Sequence, residues 1–229
     1  MTEDERFMLG VGLATTGLVV TAAAWRLGST QNELNRLRRW PIVDIRDQAA
    51  SARYSRGSLA GRNKRTSLGR NDWSKIDGIV LHQVAVDNVG RAAYPKMTAH
   101  LAVHHDGTVY WIHPLNVRLA HGHGFNNDTI GIEVAGHFRN ADKMPRAQAL
   151  GLRRAIQFAK EQAAANGAEI RNLYAHRQSD DSRLCDPGRD IMQRGGMWAT
   201  RTLGLSVLPG HVRGDGDTLP PDWLKEMPL

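Results

Sequence analysis

The pattern of apolar and polar positions changes twice along the chain. Residues Phe7 to Trp25 hold no charged side chain and are built mainly from Leu, Val, Ala, Gly and Thr, which predicts an apolar helix about long enough for a thin hydrocarbon core. Residues 30–72 are polar and rich in Arg and Lys, among them Arg53, Arg56, Arg62, Lys64, Arg65 and Arg70, with little hydrophobic periodicity. This texture predicts a basic tether. From Ile76 onward short apolar runs alternate with turn residues, so the folded domain is expected to begin there.

Within that domain Ile79-Val80-Leu81 predicts a buried strand that delivers His82 at its end. Leu101 to His105 and Thr108 to Ile112 flank Asp106-Gly107, a dipeptide suited to a two-residue hairpin turn with positive φ at both central positions. Thr129 to Ala135 is a further β-rich run with Glu133 set inside it. Ala147 to Ala165 places Leu152, Ile156, Ala159 and Ala163 at helical spacing before the stop signal Asn166-Gly167. Leu173-Tyr174-Ala175 then leads to His176. Strands plus one long helix predict a mixed α/β domain over residues 73–205. A hydrophobic helix in 1–29 and the basic linker in 30–72 precede it, and a Pro- and Gly-containing tail in 206–229 follows.

Composition narrows the setting. A formal net charge of +7 favours a polyanionic neighbour such as nucleic acid, anionic lipid or a phosphate-bearing cell wall. The basic residues gather in the linker with no recognisable nucleic-acid module, so nucleic acid is not expected as a partner. The single cysteine, Cys185, excludes an internal disulfide framework. Glu3, Asp4 and Glu5 before the apolar stretch differ from the basic start of an export signal. Arg26, Arg36, Arg38 and Arg39 after it would hold the C-terminal side in the cytoplasm if it spanned a membrane. Residues 7–25 therefore read either as a membrane segment or as a helix packed in a partner assembly such as a virion component.

Three distant segments each offer a metal donor: His82, His176 and the pair Cys185-Asp186. Two imidazoles with one carboxylate or thiolate is the ligand inventory of catalytic zinc, which leaves a fourth position open. A carboxylate inside an apolar strand run, as at Glu133, requires a partner or a task. Cys185 with His176 would also allow thiol hydrolase chemistry, whereas Ser182 has no general base beside it in the sequence.

The order of these segments resembles the N-acetylmuramoyl-L-alanine amidase family, which includes phage lysozyme-type amidases and peptidoglycan recognition proteins. The resemblance runs from about Ile79 to Trp198. It is carried by Ile-Val-Leu-His at 79–82, Thr98-Ala99-His100 with His105-Asp106-Gly107-Thr108-Val109, Ala120-His121-Gly122, Asn127 with Ile130-Gly131-Ile132-Glu133, Ala175-His176-Arg177 and Cys185-Asp186-Pro187-Gly188. It implies a mixed central sheet flanked by helices and a Zn2+ site formed by His82, His176 and Asp186, with Cys185 as the alternative third ligand. It further implies Glu133 as the proton carrier and His100, His121 and Asn127 in the substrate groove. Where members carry an oxyanion-stabilising lysine this chain has Leu184, and Arg183 beside it becomes the cation to consider. The implied activity is cleavage of peptidoglycan between N-acetylmuramic acid and L-alanine, by a bacterial or phage lytic enzyme working at the cell envelope. A module of the same fold that binds peptidoglycan without cutting it is the alternative.

Overall fold

The computed structural model describes residues 27–51, 69–138, 144–227 and 229. The chain divides into two units, Met1–Arg39 and Trp40–Leu229. In the first, residues 27–38 are helical (α1), and the Asn35 side-chain oxygen accepts from Gln31 Nε2 at 3.1 Å and Arg38 Nη1 at 3.0 Å. Residues 7–25, the apolar stretch, lie outside the described residues. Among the described residues no helix is long and apolar enough to cross a membrane.

The second unit opens with β1 (Ile42–Asp44) and α2 (Arg46–Ser51). There follow β2 (Gly78–Gln83), β3 (Leu101–Val103), β4 (Val109–Trp111), β5 (Thr129–Val134), α3 (Arg146–Ala165) and β6 (Asn172–Ala175). Then α4 (Arg189–Ile191) runs through a π-helical stretch, Met192–Gly196, into α5 (Met197–Leu203), and β7 (Ser206–Val207) closes the series. Among the described residues the strands form one sheet in the order β1-β4-β3-β5-β2-β6-β7. All neighbours are parallel except the β3/β4 hairpin. The mixed α/β expectation therefore holds.

Every residue of β2 is buried, as a central parallel strand requires, and its uninterrupted apolar run is the sequence sign of that position. The buried face of α3 carries Ala149, Leu152, Ala155, Ile156, Ala159 and Ala163, the helical spacing read from the sequence. At the β3/β4 turn the outcome is different in detail. Gly107 takes φ +85°, whereas among the described residues Ala85 is the sole non-glycine with positive φ. Asp106 instead accepts the Thr108 N–H through Oδ1 at 2.9 Å, giving a wider loop than a two-residue turn.

Two expectations about the ends of the domain need correction. The polar region 30–72 is not a tether throughout, because β1 pairs with β4, Ile42 opposite Val109. Ile45 and Ala49 are buried with Tyr94, Tyr110 and Ile112. The domain also does not end near residue 205. Ser206 and Val207 pair with Asn172 and Leu173, and Leu219 and Trp223 are 5% and 6% exposed.

Candidate active site

The carboxyl ends of the central parallel strands bring the expected residues together. In register, His82 on β2 lies opposite Glu133 on β5, and Leu81 lies opposite Ala175 on β6, so His176 follows directly beside His82. Such strand ends are where open α/β sheets gather their ligands. The His82 and His176 rings sit 4.4 Å apart between centroids in an edge-on arrangement.

Asp186 reaches this point from the loop after β6. Its Oδ2 lies 2.9 Å from His176 Nδ1, and its Oδ1 accepts the Gln83 backbone N–H at 2.9 Å. The Gln83 side chain fastens the same loop, donating from Nε2 to the Cys185 carbonyl at 2.7 Å and accepting the Phe138 N–H at 2.7 Å. One donor atom each from His82, His176 and Asp186 falls within 4.8 Å of the others. Cys185 is a half-buried free thiol outside that group. His82 Nδ1 is buried without a hydrogen-bond partner, and so is Glu133 Oε2. A buried, unpartnered imidazole nitrogen on a residue grouped with a second imidazole and a carboxylate suits a zinc ion by its donor chemistry.

Burial pushes the Glu133 carboxyl up from about 4.5 to about 8. The nearby Asp186 charge adds to this, and the Arg183 guanidinium opposes it. Arg183 itself is exposed, in the short turn Asp181–Arg183. Leu184, at the position where the resemblance leads one to seek a lysine, is 45% exposed. Burial also holds His82 well below the usual imidazole range, reinforced by His176 and His121.

The residues expected in a substrate groove fare differently. His100 is fully buried, with Nε2 at 2.8 Å from the Val117 carbonyl and Nδ1 accepting the Gly131 N–H at 2.9 Å. Burial drops its pKa to about 4. Both nitrogens are thus committed to backbone, and the groove expectation for His100 is corrected to an internal strut. His121 is also buried and lies against His82, its Nδ1 at 3.2 Å from His82 Nε2, so it too belongs to the interior. Asn127 is exposed. Its neighbour Asn126 organises the turn by accepting the backbone N–H groups of His121 and Gly122 at 3.0 and 2.9 Å. Gln83, Asn126 and Thr129 were not singled out from the sequence. For Gln83 the available signal was its place directly after His82 at a buried strand's end.

The family described as N-acetylmuramoyl-L-alanine amidase matches residues 72–189. Solved structures of similar fold include the N-acetylmuramoyl-L-alanine amidase LysC from Clostridium intestinale. It is 16% identical, with a TM-score of 0.50, covering 72% of this chain and 99% of that one. Another is Drosophila PGRP-LB, 18% identical, with a TM-score of 0.50, covering 78% of this chain and 99% of that one. At these identities the likeness is one of fold. No curated protein matches the chain.

Proposed function

We propose, from the premise that the chain belongs to the N-acetylmuramoyl-L-alanine amidase family, that it hydrolyses the amide bond between N-acetylmuramic acid and L-alanine in bacterial peptidoglycan with the help of a zinc ion. The observation that carries this reading is the buried, unpartnered His82 Nδ1 beside His176 and Asp186. His82, His176 and Asp186 would hold the metal, leaving Cys185 a packing neighbour. When bound, zinc acidifies water and polarises the scissile carbonyl.

The remaining work falls to the chain's own groups. Glu133 Oε2 has no hydrogen-bond partner, and its raised proton affinity suits a group that first takes a proton from water and then gives it to the departing amine. The water oxygen first bonds to the carbonyl carbon, giving a tetrahedral stage, and the C–N bond then breaks as Glu133 passes the proton to the L-alanine nitrogen. Arg183 is the cation whose charge bears on both Glu133 and His82, and it would steady the negative oxygen of the tetrahedral stage.

The exposed Leu184 favours a second reading, a module that binds peptidoglycan without cutting it. In either reading the partner is peptidoglycan and the working place is the cell envelope, as for a lytic enzyme of a bacterium or phage. Any virion or membrane association would run through residues 7–25. The deciding experiment is mass spectrometry of purified peptidoglycan digested with the full chain, with and without a zinc chelator. Stem peptides with a new free L-alanine amino terminus, formed only without chelator, are the expected products. Binding of zinc and peptidoglycan with no such product selects the binding module.

A further inference from the structure

His82 Nε2 meets a line of side chains that ends on the protein backbone. Its partner is His121 Nδ1 at 3.2 Å, and on the far side of that ring His121 Nε2 lies 3.5 Å from Thr129 Oγ1. Thr129 Oγ1 in turn lies 2.6 Å from the Phe125 carbonyl oxygen. All three side chains are buried. A carbonyl can only accept, so the threonine proton is committed to Phe125 and its oxygen has lone pairs left for His121. His121 then carries its proton on Nε2, its Nδ1 is an acceptor, and His82 must donate from Nε2. On His82 the nitrogen left without a proton is then Nδ1, the atom that has no partner.

The reverse polarity fails at both ends. It would set a lone pair of His121 Nε2 against a threonine oxygen that has no proton to offer. It would also bury an N–H on His82 Nδ1 with nothing to receive it. Space for the His121 ring is provided by Gly131 on β5, where an added Cβ would lie 2.7 Å from His121 Nδ1.

We infer that His121 is a positioning residue: through the line Phe125–Thr129–His121 it selects the tautomer and ring angle of His82 that present Nδ1 to a metal. This rests on the zinc reading above. A ligand histidine usually gives its second N–H to a carboxylate or a carbonyl; here another imidazole receives it, with its own direction set by a threonine.

The test is zinc affinity of the full chain, by competition with a chelator of known strength, for wild type, His121→Leu and His121→Asn. His121→Leu removes the acceptor and is expected to bind zinc about 10–100-fold more weakly. His121→Asn puts an oxygen near the place of Nδ1 and is expected to stay within a few-fold of wild type. Equal affinity in wild type and His121→Leu overturns this inference and leaves the zinc reading standing, whereas a wild type that takes up no zinc overturns both. If His121→Leu does not fold, nitrogen NMR of the metal-free wild type decides. A His82 proton on Nε2 is expected, and a proton on Nδ1 overturns the inference.

Discussion

Glu133 is a carboxylate that folding places where ionisation is costly. Its pKa rises from about 4.5 to about 8 through burial and the neighbouring Asp186. Between those two values the folded chain holds a proton that the unfolded chain has lost, so stability of the metal-free protein falls as pH rises through that window. Glu133→Gln keeps the shape and removes the ionisation. We expect it to be more stable than wild type near pH 8 by on the order of 1–3 kcal/mol, with the gap closing toward pH 5. Denaturant titrations of both metal-free proteins at several pH values would measure this, and parallel curves at all pH values would contradict it. The same substitution is expected to keep zinc and lose about 10²–10⁴-fold in turnover. At this scale the places of His82, Glu133 and His176 were legible because each follows or interrupts an apolar run that had to be a strand, whereas Asp186, in a loop, was marked only by the resemblance of Cys185-Asp186-Pro187-Gly188. It was not readable for His100 and His121. Whether an imidazole meets substrate or backbone depends on groups such as Gly131 and Val117, many positions away in sequence and brought near only by the fold.

Elements follow the same logic. β2, β5 and α3 carry five or more residues of consistent period and were legible. β1 and β7 have three and two residues and lie at the ends of the sheet order; β3 and β4 are as short but were marked by longer apolar runs on either side of Asp106-Gly107. The segment after β7 was hidden for another reason. It is held largely by polar contacts: Gln178 Nε2 donates to the Leu208 and His211 carbonyls at 2.8 and 2.7 Å, and Arg177 pairs with Asp217 at 2.6 Å. Arg213 Nη1 donates to both oxygens of Asp128 at 2.7 Å and to the Gly124 carbonyl at 3.0 Å, with its guanidinium 4.6 Å from the Phe125 ring. Hydrophobic patterning cannot register contacts of this kind. Arg213→Ala would leave the half-buried Asp128 without this partner and uncover Phe125, at a cost of about 1–3 kcal/mol. For a domain of this size that amounts to a melting temperature lower by roughly 3–10 °C. An unchanged melting curve would mean that the C-terminal segment only rests on the domain.

Charge acts over the whole molecule, and under the proposed function it would separate arrival at the wall from cleavage. The chain carries a formal net charge of +7, with basic residues gathered between Arg26 and Arg70. Charges in solvent attract anionic polymers over a distance set by salt, about 30 Å at 0.01 M and about 3 Å at 1 M. The groups at the site behave differently. Asp186 is buried, and buried charges are screened far less. Retention on walls that keep their anionic polymers is therefore expected to fall steeply as salt rises, and to fall less on walls stripped of them. Turnover of a small soluble muropeptide, which needs the site but not the basic stretch, should change little over the same range. Co-sedimentation and product formation measured side by side would separate the two. If both fall together with salt, the electrostatic contribution lies in the site itself, and exposed Arg183 becomes the group to substitute next. If retention alone falls, the basic stretch works as an attachment surface whose strength is independent of the chemistry at the strand ends.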